Sequence, residues 1–298
     1  MQLRKRLFYA DNGLGCCDCR STTALNLKGR PMNVENTIAK LKIAARQLPP
    51  NKALLRTNTK LEKGGKKYVI KGLTLAPHAL SGTNVCLEST AGCRAACVLW
   101  FAGRRVMSTC RVRALADTMQ YLNNRDDFYT TLRKNIESHV RQGRRKGFIP
   151  LVRLNVASDL DFTNIIGQFP DCRFYDYSKI AGRYERYLSG ELPDNYNITY
   201  SASERPQGAR LADYLTRGGN VAQVFDVLYQ PAQGRLGELP TEHCYADQWF
   251  NVRSADDNDV RIPELDGYGN VLALRLKGTN AAKQRARNSG FAVRPMTR

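Results

Sequence analysis

The chain has 298 residues, 42% hydrophobic and 24% charged, with 46 Lys and Arg against 27 Asp and Glu for a net charge of +19. Those proportions exclude wholesale disorder and allow a sizeable core in one large domain. No run reaches the roughly 20 apolar residues of a membrane helix, and Asp11, Gly13 and Gly15 interrupt the basic start before a secretion signal can form. A reducing cytoplasmic setting is therefore expected, in which clustered thiols serve as metal ligands more often than as disulfides.

Residues 1–65 read as a basic appendage. It holds Cys16, Cys17 and Cys19, a helix over Val34–Gln47 and a stop at Pro49-Pro50. The stretch from Lys60 to Pro77 reads as a basic hairpin turning at Gly64-Gly65. Next comes SGTNVCLESTAGCRAACVLWFAGR, a loop rich in Gly, Ser and Thr that carries Cys86, Cys93 and Cys97. Helices are expected from Ser108 to about Leu122 and from Arg125 to Gly143; in the second, Phe128, Leu132, Ile136 and Val140 recur every four residues.

Beyond residue 147 the texture changes to short apolar runs at 148–158, 173–179, 196–203, 221–227 and 271–278. Helical candidates at 162–169, 181–188 and 210–217 separate the first four. This alternation marks βα units and a parallel sheet, so residues 66–298 are expected to form an α/β partial (β/α) barrel of mostly parallel strands. The runs end in polar residues, and in parallel sheets chemistry gathers at the carboxyl ends of strands. Candidate catalytic groups there are Asp159, Tyr177, Lys179 and Glu204, which can hold an anion or move a proton. Ser158, Asp161 and Ser201 are the candidate cofactor contacts. Asp259 and Arg261 read as an ion pair.

Soft sulfur ligands select iron-sulfur clusters or zinc over hard cations, so Cys86, Cys93 and Cys97 are candidate ligands, with Cys110 a possible fourth. Three cysteines leave one iron open to a substrate or cofactor, whereas four close the site. The preferred expectation is a 4Fe-4S cluster. Zinc is the alternative metal, and plain buried thiols are the third reading.

The charge is segregated. Residues 1–72 carry 16 basic and 4 acidic side chains and residues 98–150 carry 11 and 4, while residues 151–266 carry 11 and 18. Basic segments beside an acidic body suit a nucleic-acid partner, DNA or RNA, with Arg104, Arg105, Arg141, Arg144, Arg145 and Lys146 as candidate contacts. Tyr68, Trp100 and Phe101 lie among them and can stack unpaired bases. Three scattered histidines, His78, His139 and His243, do not supply the paired-histidine metal site of a nickase. Neither a dinucleotide fingerprint nor a phosphate loop is present.

The order LAPHALSGTNVCLESTAGCRAACVLWFAGR, RLNVASDLDF, FYDYSK and DVRIPELDGYGNVLALRLKG, over about residues 71–292, resembles the phage gene product 88 family. That resemblance implies phage or mobile-element origin and carries no biochemical assignment. A three-cysteine loop before βα units also looks like the layout of radical S-adenosylmethionine enzymes, although the spacing here is six then three. The resemblance implies a cluster whose open iron binds S-adenosylmethionine. The competing class is a non-enzymatic or replication protein in which a cluster or zinc only pins a loop.

Overall fold

The computed structural model describes residues 24–25, 31–32, 34–57, 61–64, 66–97, 108–227, 229–230 and 235–296. Cys16, Cys17, Cys19, Gly65, Trp100, Phe101, Arg104 and Arg105 lie outside the described residues. The chain forms two compact units, Met1–Lys40 and Leu41–Arg298. In the first, β1 (Ala24–Leu25) pairs antiparallel with β2 (Pro31–Met32), and α1 (Val34–Arg46) begins there.

The second unit is built on a nine-stranded, mostly parallel sheet. Its strands are β3 (Leu55–Arg56), β4 (Tyr68–Leu73), β5 (Ile149–Arg153), β6 (Arg173–Ser178), β7 (Tyr196–Ser201), β8 (Val221–Phe225), β11 (Glu242–Tyr245), β12 (Gln248–Ser254) and β13 (Val271–Arg275). The short pair β9 (Tyr229–Gln230) and β10 (Arg235–Leu236) stands apart from it. The order across the sheet is β11-β12-β13-β8-β7-β6-β5-β4-β3, so it ends in two edges and does not close. The expected basic hairpin is corrected as well: β4 takes Leu55–Arg56 as its antiparallel partner and pairs parallel with β5 on its other side.

The handedness of parallel crossovers explains the layers. From β4 to β8 each strand adds beside the last in one direction, so right-handed connections place every intervening helix on one face. These helices are α2 (Ala91–Ala95), α3 (Ser108–Asn123), α4 (Arg125–Lys146), α5 (Thr163–Ile166), α6 (Ala181–Leu188) and α7 (Gly208–Thr216). All but α2 pack on the face that carries Val152, Phe174, Tyr196 and Ile198. Phe128, Leu132 and Ile136 of α4, Tyr184 of α6 and Tyr214 of α7 join that core. The periodicity of α4 puts these apolar positions on one stripe, and the helix ends where Gly147 takes a left-handed conformation at φ 73°.

The step from β12 to β13 runs back toward β8, in the opposite direction. A right-handed connection there must cross the other face, and residues 255–270 do so. They leave the carboxyl edge beside β13, where the Ala255 amide donates to Ala273. They then pass under β4–β6 with Val260 and Ile262 packed on Ile70, Leu151 and Tyr175. After α8 (Pro263–Asp266) they return to the start of β13. The segment covers the sheet face that barrel closure would otherwise have enclosed. α9 (Asn280–Asn288) follows β13.

Ile262 is 1% exposed and Ile43 is 56% exposed. Ile262→Ala is expected to cost about 2–5 kcal/mol of unfolding free energy in denaturant titration, against less than about 0.5 for Ile43→Ala.

Candidate functional site

The carboxyl ends of the parallel strands share one edge of the sheet, and the cysteine loop lies over it. The loop follows β4 and is pinned where the Ala76 amide donates to Thr118 Oγ1 at 2.8 Å and the Asp159 amide donates to the Val85 carbonyl at 2.8 Å. His78 adopts a positive φ of 38°, a strained conformation for a side chain of its size, and its amide donates to Cys86 Sγ at 3.2 Å. The Cys86 thiol in turn donates to the Ala157 carbonyl at 3.2 Å.

α2 carries Cys93 and is held at both ends. Thr90 caps its first turn by accepting from the Cys93 amide. The Thr90 hydroxyl and the Gly92 amide donate to the two carboxylate oxygens of Glu204, each at 2.6 Å. Arg285 of α9 donates to the Ala95 carbonyl at 3.0 Å at the other end. Gly92 is required here: a Cβ would fall 2.9 Å from Glu204 Cδ and 2.9 Å from Phe291 Cβ. Cys97 lies four residues beyond Cys93, about one helical turn away.

Burial pushes the Cys86 thiol up to about 12, against the Cys86–His78 hydrogen bond, and the neighbouring Cys97, Cys93 and Asp159 add to the rise. Cys86 thus lies within electrostatic reach of both other loop cysteines. Among the described residues, however, no three His, Cys, Asp or Glu side chains meet in metal-binding geometry. Cys110 is exposed on α3, in the electrostatic neighbourhood of Arg56.

Beneath the loop sits a buried polar network. Asp159 accepts from Ser178 Oγ at 2.9 Å, the Lys179 amide at 2.8 Å and Arg183 at 2.7 Å. Burial raises its pKa, and Arg183 is the largest influence acting the other way. Lys179 spends its ammonium on the Ser201 carbonyl at 3.1 Å, Ser201 Oγ at 2.7 Å and the Ala202 carbonyl at 3.0 Å. Burial lowers its pKa, opposed by Cys93, Asp159 and Glu204.

The structure thus brings Cys86, Cys93, Cys97, Asp159, Lys179, Ser201 and Glu204 to one edge. Ser158 is buried and donates to Asn155, and the exposed Asp161 accepts from Thr163 at the start of α5. Tyr177 lies on the face covered by residues 255–270, its ring 4.7 Å from the Arg153 guanidinium. The expected Asp259–Arg261 pair is replaced by two others: Arg153 meets Asp259 at 3.2 Å and Arg261 meets Asp266 at 3.0 Å.

Sequence reasoning missed Asp176, which accepts from the Asn155 amide, Asn155 Nδ2 and the Tyr196 hydroxyl; burial pushes its carboxyl up to about 6. The available signal was a lone acid inside an apolar strand. The basic cluster does not join this site. Arg141, Arg144, Arg145 and Lys146 end α4 just before β5 begins, at the amino edge of the sheet, with Arg141 beside Glu137 and Arg144 paired with Asp171. Tyr68 is buried among Ile70 and Leu151, which removes it as a stacking platform.

These features define an α/β protein with an open, mostly parallel sheet and a cysteine loop over a polar carboxyl-edge site. A family model described as Gene product 88 matches residues 52–295, and the chain belongs to this phage family. No curated protein and no solved structure matches it. No described helix is long and apolar enough to cross a membrane.

A raised thiol pKa keeps Cys86 protonated through neutral pH, with thiolate gained only as pH climbs toward 12. At pH 8 Cys86 is expected to hold about a thousandfold less thiolate than a free cysteine. In metal-free protein, alkylation followed by peptide mass spectrometry should label Cys110 long before Cys86. Glu204→Ala, which unties α2, should speed labelling of Cys93 and Cys97.

Proposed function

We propose that this phage protein is an iron-sulfur enzyme acting on nucleic acid, with Cys86, Cys93 and Cys97 as cluster ligands. The reading is carried by the placement of the loop thiols over the carboxyl edge, with Cys86 within electrostatic reach of Cys93, Cys97 and Asp159, and Cys93 within reach of Lys179. The donor set is soft, which suits iron-sulfur first and zinc second.

The thiols do not converge while protonated, and the geometry supplies a reason. Cys86 uses its proton to bond the Ala157 carbonyl. A cation favours the thiolate, which can no longer donate there, so ligation releases both a proton and that tether. A three-cysteine cluster supplies an iron with an open position, able to take S-adenosylmethionine or a substrate atom. Around it the chain's own residues do the positioning. Glu204 and Arg285 fix the turn bearing Cys93, while Lys179 ties Ser201 and Ala202 to the end of β6.

The competing reading is a binding module in which zinc only pins the loop. The separation of the α4 cluster from the carboxyl edge favours it to this extent: a gripping surface and a metal loop need not adjoin. On either reading, Arg141, Arg144, Arg145 and Lys146 provide the phosphate contacts.

Anaerobic purification should give a brown protein with about four iron and four sulfide per chain, bleached by Cys→Ala at position 86, 93 or 97. Zinc without sulfide would select the binding module, and absence of both metals would overturn ligation. Duplex DNA binding should weaken about a hundredfold between 50 and 200 mM salt, a slope set by about four phosphate contacts. Removing the four α4 charges should abolish that slope; salt-independent binding would refute the assignment.

A further inference from the structure

The second buried polar cluster lies on the sheet face crossed by residues 255–270. In register across the sheet, Arg153 of β5 pairs with Gly72 of β4, and Tyr175 of β6 pairs with Asn197 of β7; Tyr177 stands one step beyond Tyr175 on the same face. Arg261 reaches this region from the covering segment. Arg153 also gives Nη1 to Asp259, as Tyr175 gives its hydroxyl. Arg261 gives Nη1 to Asp266 and Nη2 to the Asn258 carbonyl.

After these bonds, four buried polar atoms of this face have no partner among the described residues: Arg153 Nε, Arg261 Nε, the Tyr177 hydroxyl and Asn197 Nδ2. Each of them can donate. Arg261 is 2% exposed and Arg153 9%, so neither guanidinium reaches bulk water to satisfy its spare N–H. Buried donors are rarely left open, and a group of them on one face calls for acceptors beyond those of the described residues.

We infer that this face holds a binding site for a small phosphate-type oxyanion, received by Arg153, Arg261 and Tyr177 and separate from the cysteine loop. A tetrahedral anion offers acceptors in several directions, which matches donors arriving from β5, β6 and the covering segment. Bonds from guanidinium groups to an anion are the stronger, charge-assisted kind. Tyr177 is half-buried with its hydroxyl fully buried, and Arg261 is the charge that acts on it most. Burial pushes the Asp266 carboxyl up to about 6, so the Arg261 partner carries less than a full opposing charge in weakly acidic solution. The anion is either free phosphate or the phosphate of a nucleotide.

The test is calorimetric titration of the full-length, metal-free protein in phosphate-free buffer at constant ionic strength, with inorganic phosphate and with a nucleoside 5′-monophosphate as separate probes. One saturable site for either probe is expected, about tenfold weaker in Tyr177→Phe and unchanged in Cys93→Ala. Tighter binding of the monophosphate than of phosphate assigns the nucleotide source, and the reverse assigns the free ion. Arg261→Lys, which keeps the charge and removes Nε as a donor, repeats the test if Tyr177→Phe fails to fold. No saturable binding up to about 10 mM, or equal affinity in both variants, would overturn the site and leave those donors to water.

Discussion

The carboxyl-edge site depends on one buried carboxylate. Asp159 takes a hydroxyl from Ser178, an amide from Lys179 and a guanidinium from Arg183, while its own amide holds the Val85 carbonyl of the cysteine loop. It therefore fastens the loop after β4 to the end of β6 and the first turn of α6 at a single point. Burial alone would neutralise such a group, and Arg183, itself buried, is the counter-charge that keeps it useful. Removing the carboxylate would strand that guanidinium in a dry site, a loss of about 3–5 kcal/mol for a buried pair broken on one side. The cysteine loop cannot be repositioned without disturbing this knot.

How much of this was legible depends on whether a signal was local. The parallel strands from β5 to β8 were readable because short apolar runs alternated with amphipathic stretches, and α4 because Phe128, Leu132 and Ile136 share one stripe. Asp159, Lys179 and Ser201 were readable because polar residues at strand ends have a common destination. The closure of the sheet was not legible: nothing local says whether β13 adds beyond β8 or returns between β8 and β12. That choice sends residues 255–270 across the open face, and only then does Asp259 find Arg153, 106 positions away, in place of its neighbour Arg261. The hairpin of β11 and β12 was missed because the pattern QWFNVRS, largely exposed, lacks the apolar alternation of a buried strand.

The molecule separates its charges in space as well as in sequence. The basic end of α4 stands at the amino edge of the sheet, while the thiols and Asp159 stand at the carboxyl edge. A strand is about 3.3 Å per residue, so a five-residue strand such as β5 keeps the two roughly 15 Å apart or more. A polyanion gripped at α4 would have to pass around an edge of the sheet to reach the cysteine loop. Duplex contact at one edge and chemistry at the other are compatible only if the reacting strand leaves the duplex or if small substrates serve the site.

The covered face has its own cause in the topology. Because the β12–β13 connection is forced there by handedness, it brings Asp259, Arg261 and Asp266 to the face that carries Arg153, Tyr175 and Tyr177, one pleat step below the Lys179–Ser201 contact. Thr199 lies between these levels, opposite Tyr177 in register, so the polar residues run from the interior to the carboxyl edge along one side of β6 and β7. This second buried cluster is therefore a consequence of crossover handedness and stands apart from the knot around Asp159 at the carboxyl edge.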